Sequence, residues 1–395
     1  MNNVLDIVRR SAEQWPEKVA VITHDGTITY AQLYERMLNV EPLPIPLLGE
    51  AWDKDFILHT TGTTGRSKDV IVSQRAVMAN TENLIEGHHY SHDIIFIITG
   101  DMTHLGCWSK IFPTLAVGGT LLILKDGMKD LEAFFQAMER RGRFATFLVP
   151  ATIRMLLQFT GNRLGEYADR IDFIETGAAP MPRADMLTLC RLLPNTRLYN
   201  TYASTETGIC ATYNYNYNCN CNCNRNEDEK CLAGCLGRPL KHSAIHIDAD
   251  GRICCSGDTL MSGYLDAPDL TRSVLYDGML HTTDLGYLDA DGMLHLTGRA
   301  DDVINVGGYK VAPSEVEDAA MSMPEIADCI CRPRQHPILG FAPELHVVMH
   351  EGATFDPKAI ARHISQQLKE RYKVPLYYKC VTSVPRNANG KLVRG

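Results

Sequence analysis

The sequence predicts an α/β protein of 395 residues: a large N-terminal domain, 1–300, of layered α/β subdomains with mainly parallel sheets, and a small α+β C-terminal domain, 301–395. Three observations predict it. Short β-rich runs alternate with amphipathic helical stretches through the first part of the chain, the pattern of helices layered on parallel strands. After Gly298 the texture changes to a strand, a helix and a strand in a unit of about 95 residues, an ordinary domain size. A composition of 45% apolar and 22% charged residues supplies core material for both.

Taken in order, strands are predicted at 19–23, 56–59, 94–99, 120–124, 146–149, 171–176 and 197–202, each a short run rich in β-branched, aromatic or other apolar residues. Helices are predicted from near Ser73 and at 130–141 and 182–193. In the last part, ELHVVMH (344–350) and YYKCVTSV (377–384) read as strands around a helix at 356–372 that opens on an Asp-Pro start signal. Loops at the strand ends of such layers are the usual ligand sites.

Lys and Arg number 39 against 47 Asp and Glu, a formal charge of −8, and the basic residues are scattered. That excludes the basic face that grips nucleic acid or an anionic membrane, so neither is expected as a partner. Apolar runs such as 94–98 fall far short of the roughly 18 residues of a membrane span. MNNVLDIVRR has no apolar core of a secretion signal, so the expected location is the cytoplasm. The 13 cysteines are odd in number, and a chain of this size needs no disulfide staples, so reduced thiols are expected.

One stretch, YNYNYNCNCNCNRNEDEK (213–230), alternates Asn with Tyr and then Cys. Its low complexity and acidic end read as a flexible insertion. Cys219, Cys221 and Cys223 lack the paired CxxC units of a structural zinc site, so no metal is expected there.

The sharpest motif is TTGTTGRSK (60–68), in which seven of nine residues are Thr, Gly or Ser before the terminal Lys68. Small residues let backbone amides approach an anion, hydroxyls add donors and the lysine adds charge, which together suit a polyphosphate. The alternative is a Thr-rich surface turn. Lys68 stands three residues past Gly65, so this is not a Walker A loop. Further along come YASTETG (202–208), HTTDLG (281–286), GRADDVINVGGYKVAPSEVE (298–317) and PRNANGKLVRG (385–395). Singly, each has a plain alternative: Tyr202 as a core aromatic, Asp284 and Asp301 as turn residues, Lys391 as a tail lysine.

In this order and spacing the five motifs resemble the adenylate-forming superfamily of acyl- and aryl-CoA synthetases, adenylation domains and luciferases, over almost the whole chain. The resemblance implies an ATP-dependent acid:thiol ligase that uses ATP, Mg²⁺ and coenzyme A. A stand-alone enzyme loading a carrier protein in trans and a nucleotide-binding homologue without turnover are the alternatives. It assigns Thr60, Thr61, Gly62, Thr63, Thr64, Gly65 and Lys68 to the β- and γ-phosphates. Gly177 and Ala178 would approach the adenine, Tyr202 would stack on it, Asp284 would hold the ribose and Arg299 the ribose or phosphate. Thr205 would donate to the α-phosphate, Glu206 would ligate Mg²⁺, and Lys391 would reach the α-phosphate from a mobile C-terminal domain hinged at Asp301. That domain would turn Gly307 and Gly308 toward an incoming pantetheine arm.

His104, in GDMTHLGCW, reads either as a residue closing the acid pocket beside Trp108 or as a core histidine. The pocket is expected from 104–109, 149–154 and 175–179, mostly small or apolar and without a clear anchor for an ammonium group. The sequence departs from the family pattern at Ser67 and Asp69 around Lys68, at Ala203 in place of glycine, and in a shortened segment, 34–55, containing EPLPIPL.

Overall fold

The computed structural model describes residues 3–60, 68–218, 234–386 and 392–394. The strands in chain order are β1 Val19–Thr23, β2 Gly26–Thr29, β3 Phe56–Thr60, β4 Lys68–Val72, β5 Ile94–Ile98, β6 Thr120–Ile123, β7 Arg143–Phe147, β8 Ile171–Gly177 and β9 Arg197–Ser204. They continue with β10 Gly208–Asn214, β11 Cys235–Pro239, β12 Ser243–Ile247, β13 Arg252–Gly257, β14 Gly263–Tyr264, β15 Leu275–Tyr276, β16 Met279–Leu288 and β17 Leu294–Arg299.

Strands β1-β6-β5-β7-β8-β9 form the parallel layer that the alternation of strand and helix predicts. Beyond β9 the same sheet continues antiparallel through β10, β11, β17, β16, β13 and β12. The parallel strands are apolar on both faces because both faces are covered. In β5, Phe96 and Ile98 pack into one core with Phe56, Trp108 and Phe173, while Ile97 joins a second core with Phe134, Phe144 and Ile174. Helices Leu131–Met138, Pro150–Thr160 and Arg183–Leu192 contribute to the second core.

β7 lies at Arg143–Phe147, three residues ahead of the expected 146–149, because Val149 caps a helix that starts at Pro150. Proline at a first helical position is preset for the helix and ends the strand before it. Helix Leu131–Met138 starts on Asp130, whose Oδ1 accepts from Ala133 N at 2.9 Å. The sequence did not suggest β4, which pairs antiparallel with β3 and sets Lys68 opposite Thr60.

The segment after helix Tyr30–Leu38 holds no regular element from 39 to 55, yet it is packed. Ile45 and Trp52 are buried in the first core, and Trp52 meets Phe56 edge-on at 6.4 Å. The expectation that the whole of 213–230 is an insertion is corrected at its start. Tyr213 and Asn214 finish β10, and Tyr215 opens a helical turn, Tyr215–Asn218. The rings of Tyr213 and Tyr215 are buried together at 5.1 Å. Asn216 donates to the carbonyls of Leu193 and Thr196 at 2.6 Å. Residues 219–230, with Cys219, Cys221 and Cys223, lie outside the described residues.

The C-terminal unit is α+β as expected: β18 Ile304–Val306, β19 Tyr309–Val311, β20 Ile326–His336, β21 Gly340–Met349 and β22 Tyr377–Cys380, with helices Pro313–Met321 and Pro357–Gln367 closing one core. It meets the large unit through Arg154, whose Nη1 lies 2.7 Å from Asp328 Oδ1 and whose Nε lies 2.9 Å from Asp185 Oδ2. Among the described residues, no helix is long and apolar enough to cross a membrane, and Cys107, Cys210, Cys254, Cys255, Cys329, Cys331 and Cys380 are free thiols.

Candidate active site

The ends of β3, β8, β9 and β17 and the first half of β16 converge on a cleft of about 330 Å³. Its walls bring together Thr60, Lys68, Gly177, Ala178, Thr205, Glu206, Asp284, Arg299 and Asp301, residues far apart in the sequence. Thr61, Gly62, Thr63, Thr64, Gly65 and Lys391 lie outside the described residues.

The hairpin of β3 and β4 sets Thr60 opposite Lys68 at the cleft edge. Lys68 Nζ sits 5.0 Å from the Tyr264 ring centroid, a cation–π contact that steers the ammonium. Asp69, a departure that puts negative charge beside a phosphate site, is met across the hairpin by His59 Nδ1 at 2.5 Å.

The turn between β9 and β10 presents Thr205 and Glu206. Ser204 N donates to Thr207 Oγ1 at 2.9 Å and Thr207 N to Ser204 Oγ at 3.0 Å, so the tip is closed by its own side chains. Tyr264 Oη donates to Glu206 Oε1 at 3.0 Å. Burial, then the Glu206 charge, raises the Tyr264 hydroxyl above its usual range and keeps it a donor. Glu206 faces the cleft with its carboxylate held by Tyr264. That fits Mg²⁺, which takes one or two protein carboxylates together with substrate phosphates. Among the described residues, Asp248, Cys254 and His281 also bring ligand atoms together, and His281 lines the same cleft as Glu206.

Asp284 and Arg299 are ladder partners in β16 and β17. Arg299 Nη1 lies 3.3 Å from Asp284 Oδ1, and Nη2 donates to Thr283 Oγ1 at 2.7 Å. Asp284 Oδ2 accepts from Tyr202 Oη at 3.0 Å. The Tyr202 ring is buried among Cys210, Leu236, Ile253 and Leu294 and is absent from the cleft lining, where Thr201 and Ala203 stand instead. Burial, then Asp284, holds its hydroxyl well above the usual range and protonated. Gly177 ends β8, where an added Cβ would lie 2.9 Å from the Thr201 carbonyl oxygen, and Ala178 follows with φ +66°.

The acid end of the cleft differs from expectation. His104 lines it at the N-cap of helix Leu105–Trp108, while Trp108 turns into the core against Phe56 and Phe112. Residues 149–154 do not line the cleft. Two side chains that sequence reasoning passed over do: Lys110 and Phe147. Lys110 Nζ lies 2.7 Å from Glu175 Oε1 with both side chains 1% exposed. The available signal was a lysine inside the apolar run 105–116, and a glutamate in a strand buried on both faces.

The model of the AMP-binding enzyme family matches residues 46–265, and that of the AMP-binding enzyme C-terminal domain matches 315–391. The chain is 28% identical to a sulfoacetate–CoA ligase of Cupriavidus necator over 86% of its own length and 65% of the relative's. It is 29% identical to an indoleacetate–CoA ligase of Aromatoleum aromaticum, over 93% and 71%. A 2-succinylbenzoate–CoA ligase of Bacillus cereus is 28% identical over 86% and 68%. The chain thus spans about two thirds of the length of these relatives. Among solved structures, ATP-bound MatB from Rhodopseudomonas palustris has a TM-score of 0.81 at 20% identity, covering 99% of this chain and 97% of that one. The o-succinylbenzoate CoA synthetase of Bacillus subtilis with its acyl-adenylate has a TM-score of 0.79 at 20% identity, covering 100% and 97%. Both likenesses concern the fold.

Proposed function

This chain belongs to the AMP-binding enzyme family of the adenylate-forming superfamily, and from that membership we propose that it is an ATP-dependent carboxylic acid:CoA ligase. It adenylates an acyl or aryl carboxylate, releases pyrophosphate, and passes the acyl group to the thiol of CoA with release of AMP. The observation that carries this reading is the convergence of Lys68, Thr205, Glu206, Asp284 and Arg299 on one cleft from separate strands.

The chemistry follows from charge. A carboxylate is an anion approaching a polyanion, so negative charge must be neutralised before the oxygen reaches the α-phosphorus in line, and positioning with electrostatics does most of the work. Asp284, fixed by Tyr202 and Arg299, accepts from the ribose hydroxyls and sets the register of the nucleotide. Gly177 and Ala178 let the backbone approach the adenine. Lys68 holds the β- and γ-phosphates with the hydroxyls and amides of 60–65, and Thr205 donates to the α-phosphate. Glu206 would hold Mg²⁺, which would supply Lewis-acid neutralisation of the phosphate oxygens. Lys391 is assigned to the α-phosphate during adenylation. The C-terminal unit then turns at Asp301 and brings Gly307 and Gly308 to the cleft, where a thin pantetheine arm passes close to backbone.

The relatives named as CoA ligases support CoA as the acceptor, and a carrier protein in trans is the alternative. Free thiols and the absence of a long apolar helix among the described residues support a cytoplasmic location. The test is product analysis with a carboxylate panel, ATP, Mg²⁺ and CoA. AMP, pyrophosphate and acyl-CoA in equal amounts are expected; ADP with phosphate, or ATP binding without any product, overturns the reading.

A further inference from the structure

Lys110 and Glu175 form a buried ion pair in the wall of the acid end of the cleft. Such a pair is a poor way to stabilise a wall, because two apolar side chains of similar volume fill the space without the cost of desolvating two charges. Its surroundings tie it to the cleft. The Lys110 ammonium stands 5.4 Å from the Phe147 ring centroid, and Gly106 leaves room for that ring, since a Cβ there would lie 2.6 Å from it.

The carboxylate is turned toward the protein. Glu175 Oε1 accepts from Lys110, and the buried Oε2 faces His88 Nδ1 at 3.5 Å, each of these two atoms without a hydrogen-bond partner. His88 Nε2 is 3.0 Å from Thr212 Oγ1. Lys110 carries three N–H donors, of which Glu175 takes one. The group with capacity left for a ligand is therefore the cation.

We propose that the cleft selects carboxylic acids bearing a second, distal carboxylate or equivalent oxyanion, which is seated on Lys110 Nζ while Glu175 positions the ammonium. This rests on the ligase reading and names the substrate class of its acid site. Lys110 is then a specificity-determining residue and Glu175 a positioning residue. The two charges have opposite expected effects: removing Glu175 leaves a cation that favours an anionic tail, whereas removing Lys110 leaves a carboxylate that repels it.

The test compares matched pairs of acids, butanoate with succinate, hexanoate with adipate and benzoate with terephthalate, in acid-dependent pyrophosphate exchange. In the native enzyme at least one dicarboxylate is expected to exceed its monocarboxylate partner about tenfold or more in kcat/KM. Lys110→Met is expected to lower the dicarboxylate's kcat/KM about 100-fold, chiefly through KM, with little change for the monocarboxylate. Glu175→Gln is expected to keep or increase the dicarboxylate preference, and Lys110→Met with Glu175→Gln removes both charges and keeps the fold testable. Equal losses for both acids in Lys110→Met, or loss of the preference in Glu175→Gln instead, overturns the proposal. Thermal-shift binding of the same acids separates the two levels. Absence of exchange with every acid rejects the ligase reading, while stabilisation by a dicarboxylate that Lys110→Met abolishes upholds the anion site and its absence rejects it.

Discussion

The hydroxyl of Tyr202 in β9 lies 3.0 Å from Asp284 Oδ2 in β16 and joins the strands of two family motifs, 82 residues apart. The bond fixes the carboxylate assigned to the ribose from behind the cleft wall. A neutral donor to a carboxylate contributes about 1.5–3 kcal/mol. Tyr202→Phe is therefore expected to raise the KM for ATP about tenfold, with a smaller change in kcat. An unchanged KM for ATP would show that Asp284 is held by Arg299 alone.

Glu206 receives its fixed orientation from Tyr264. Partners that orient a metal ligand change metal affinity by about 10-fold or more when removed. Tyr264→Phe should raise the Mg²⁺ concentration for half-maximal activity by that order, measured at saturating ATP. An unshifted Mg²⁺ titration would contradict a metal-holding role for Glu206.

Lys391→Ala should abolish acid-dependent pyrophosphate exchange while sparing thioester formation from supplied acyl-adenylate. Single-turnover assays of the two half-reactions check this. Equal loss of both rejects the assignment of Lys391 to the first step.

His88 is fully buried, and burial, with Lys110 and Arg197 nearby, holds its imidazole well below the usual range. The unfolded histidine takes a proton near about pH 6.5. Below that pH the unfolded state binds more protons than the folded one, so stability falls as the pH is lowered. Glu175, raised by burial and pulled back by Lys110, titrates in the opposite sense. Comparison with His88→Gln isolates the imidazole: the native Tm should fall more than the variant's between about pH 7.5 and about pH 5.5. Parallel curves would show that His88 does not resist protonation.

Arg154 bridges Asp185 of the large unit and Asp328 of the C-terminal unit, and its side chain is 13% exposed. Asp328→Asn removes one charge from this contact and should loosen the C-terminal unit. Tryptic cleavage after Arg299 is expected to quicken by about threefold or more, since local opening governs cutting. An unchanged cleavage rate would show that the contact does not restrain the unit.

Much of the fold was legible because it is written in local patterns. The run at 94–98 is apolar at every position, as a strand covered on both faces requires, and Asp130 and Asp356 announce their helices by capping them. The antiparallel half of the sheet was less legible, since β11 and β13 are placed by partners far along the chain, in β17 and β16. Tyr213 and Tyr215 were masked by the repeat around them: period two marks a strand, but only the packed neighbours show that these two rings belong to the core. The residues proposed to hold the nucleotide were legible as motifs, and those described line one cleft apart from Tyr202. The acid side was not, because Lys110 and Glu175 are 65 positions apart and gain meaning only when folding buries them together.

The most direct measurement is isotope exchange between labelled pyrophosphate and ATP, with a carboxylic acid present and CoA absent. Formation of an acyl-adenylate in a separate first step predicts exchange that requires both the acid and Mg²⁺ and needs no thiol. Exchange that proceeds without any acid, or that appears only when CoA is added, would contradict that order of events.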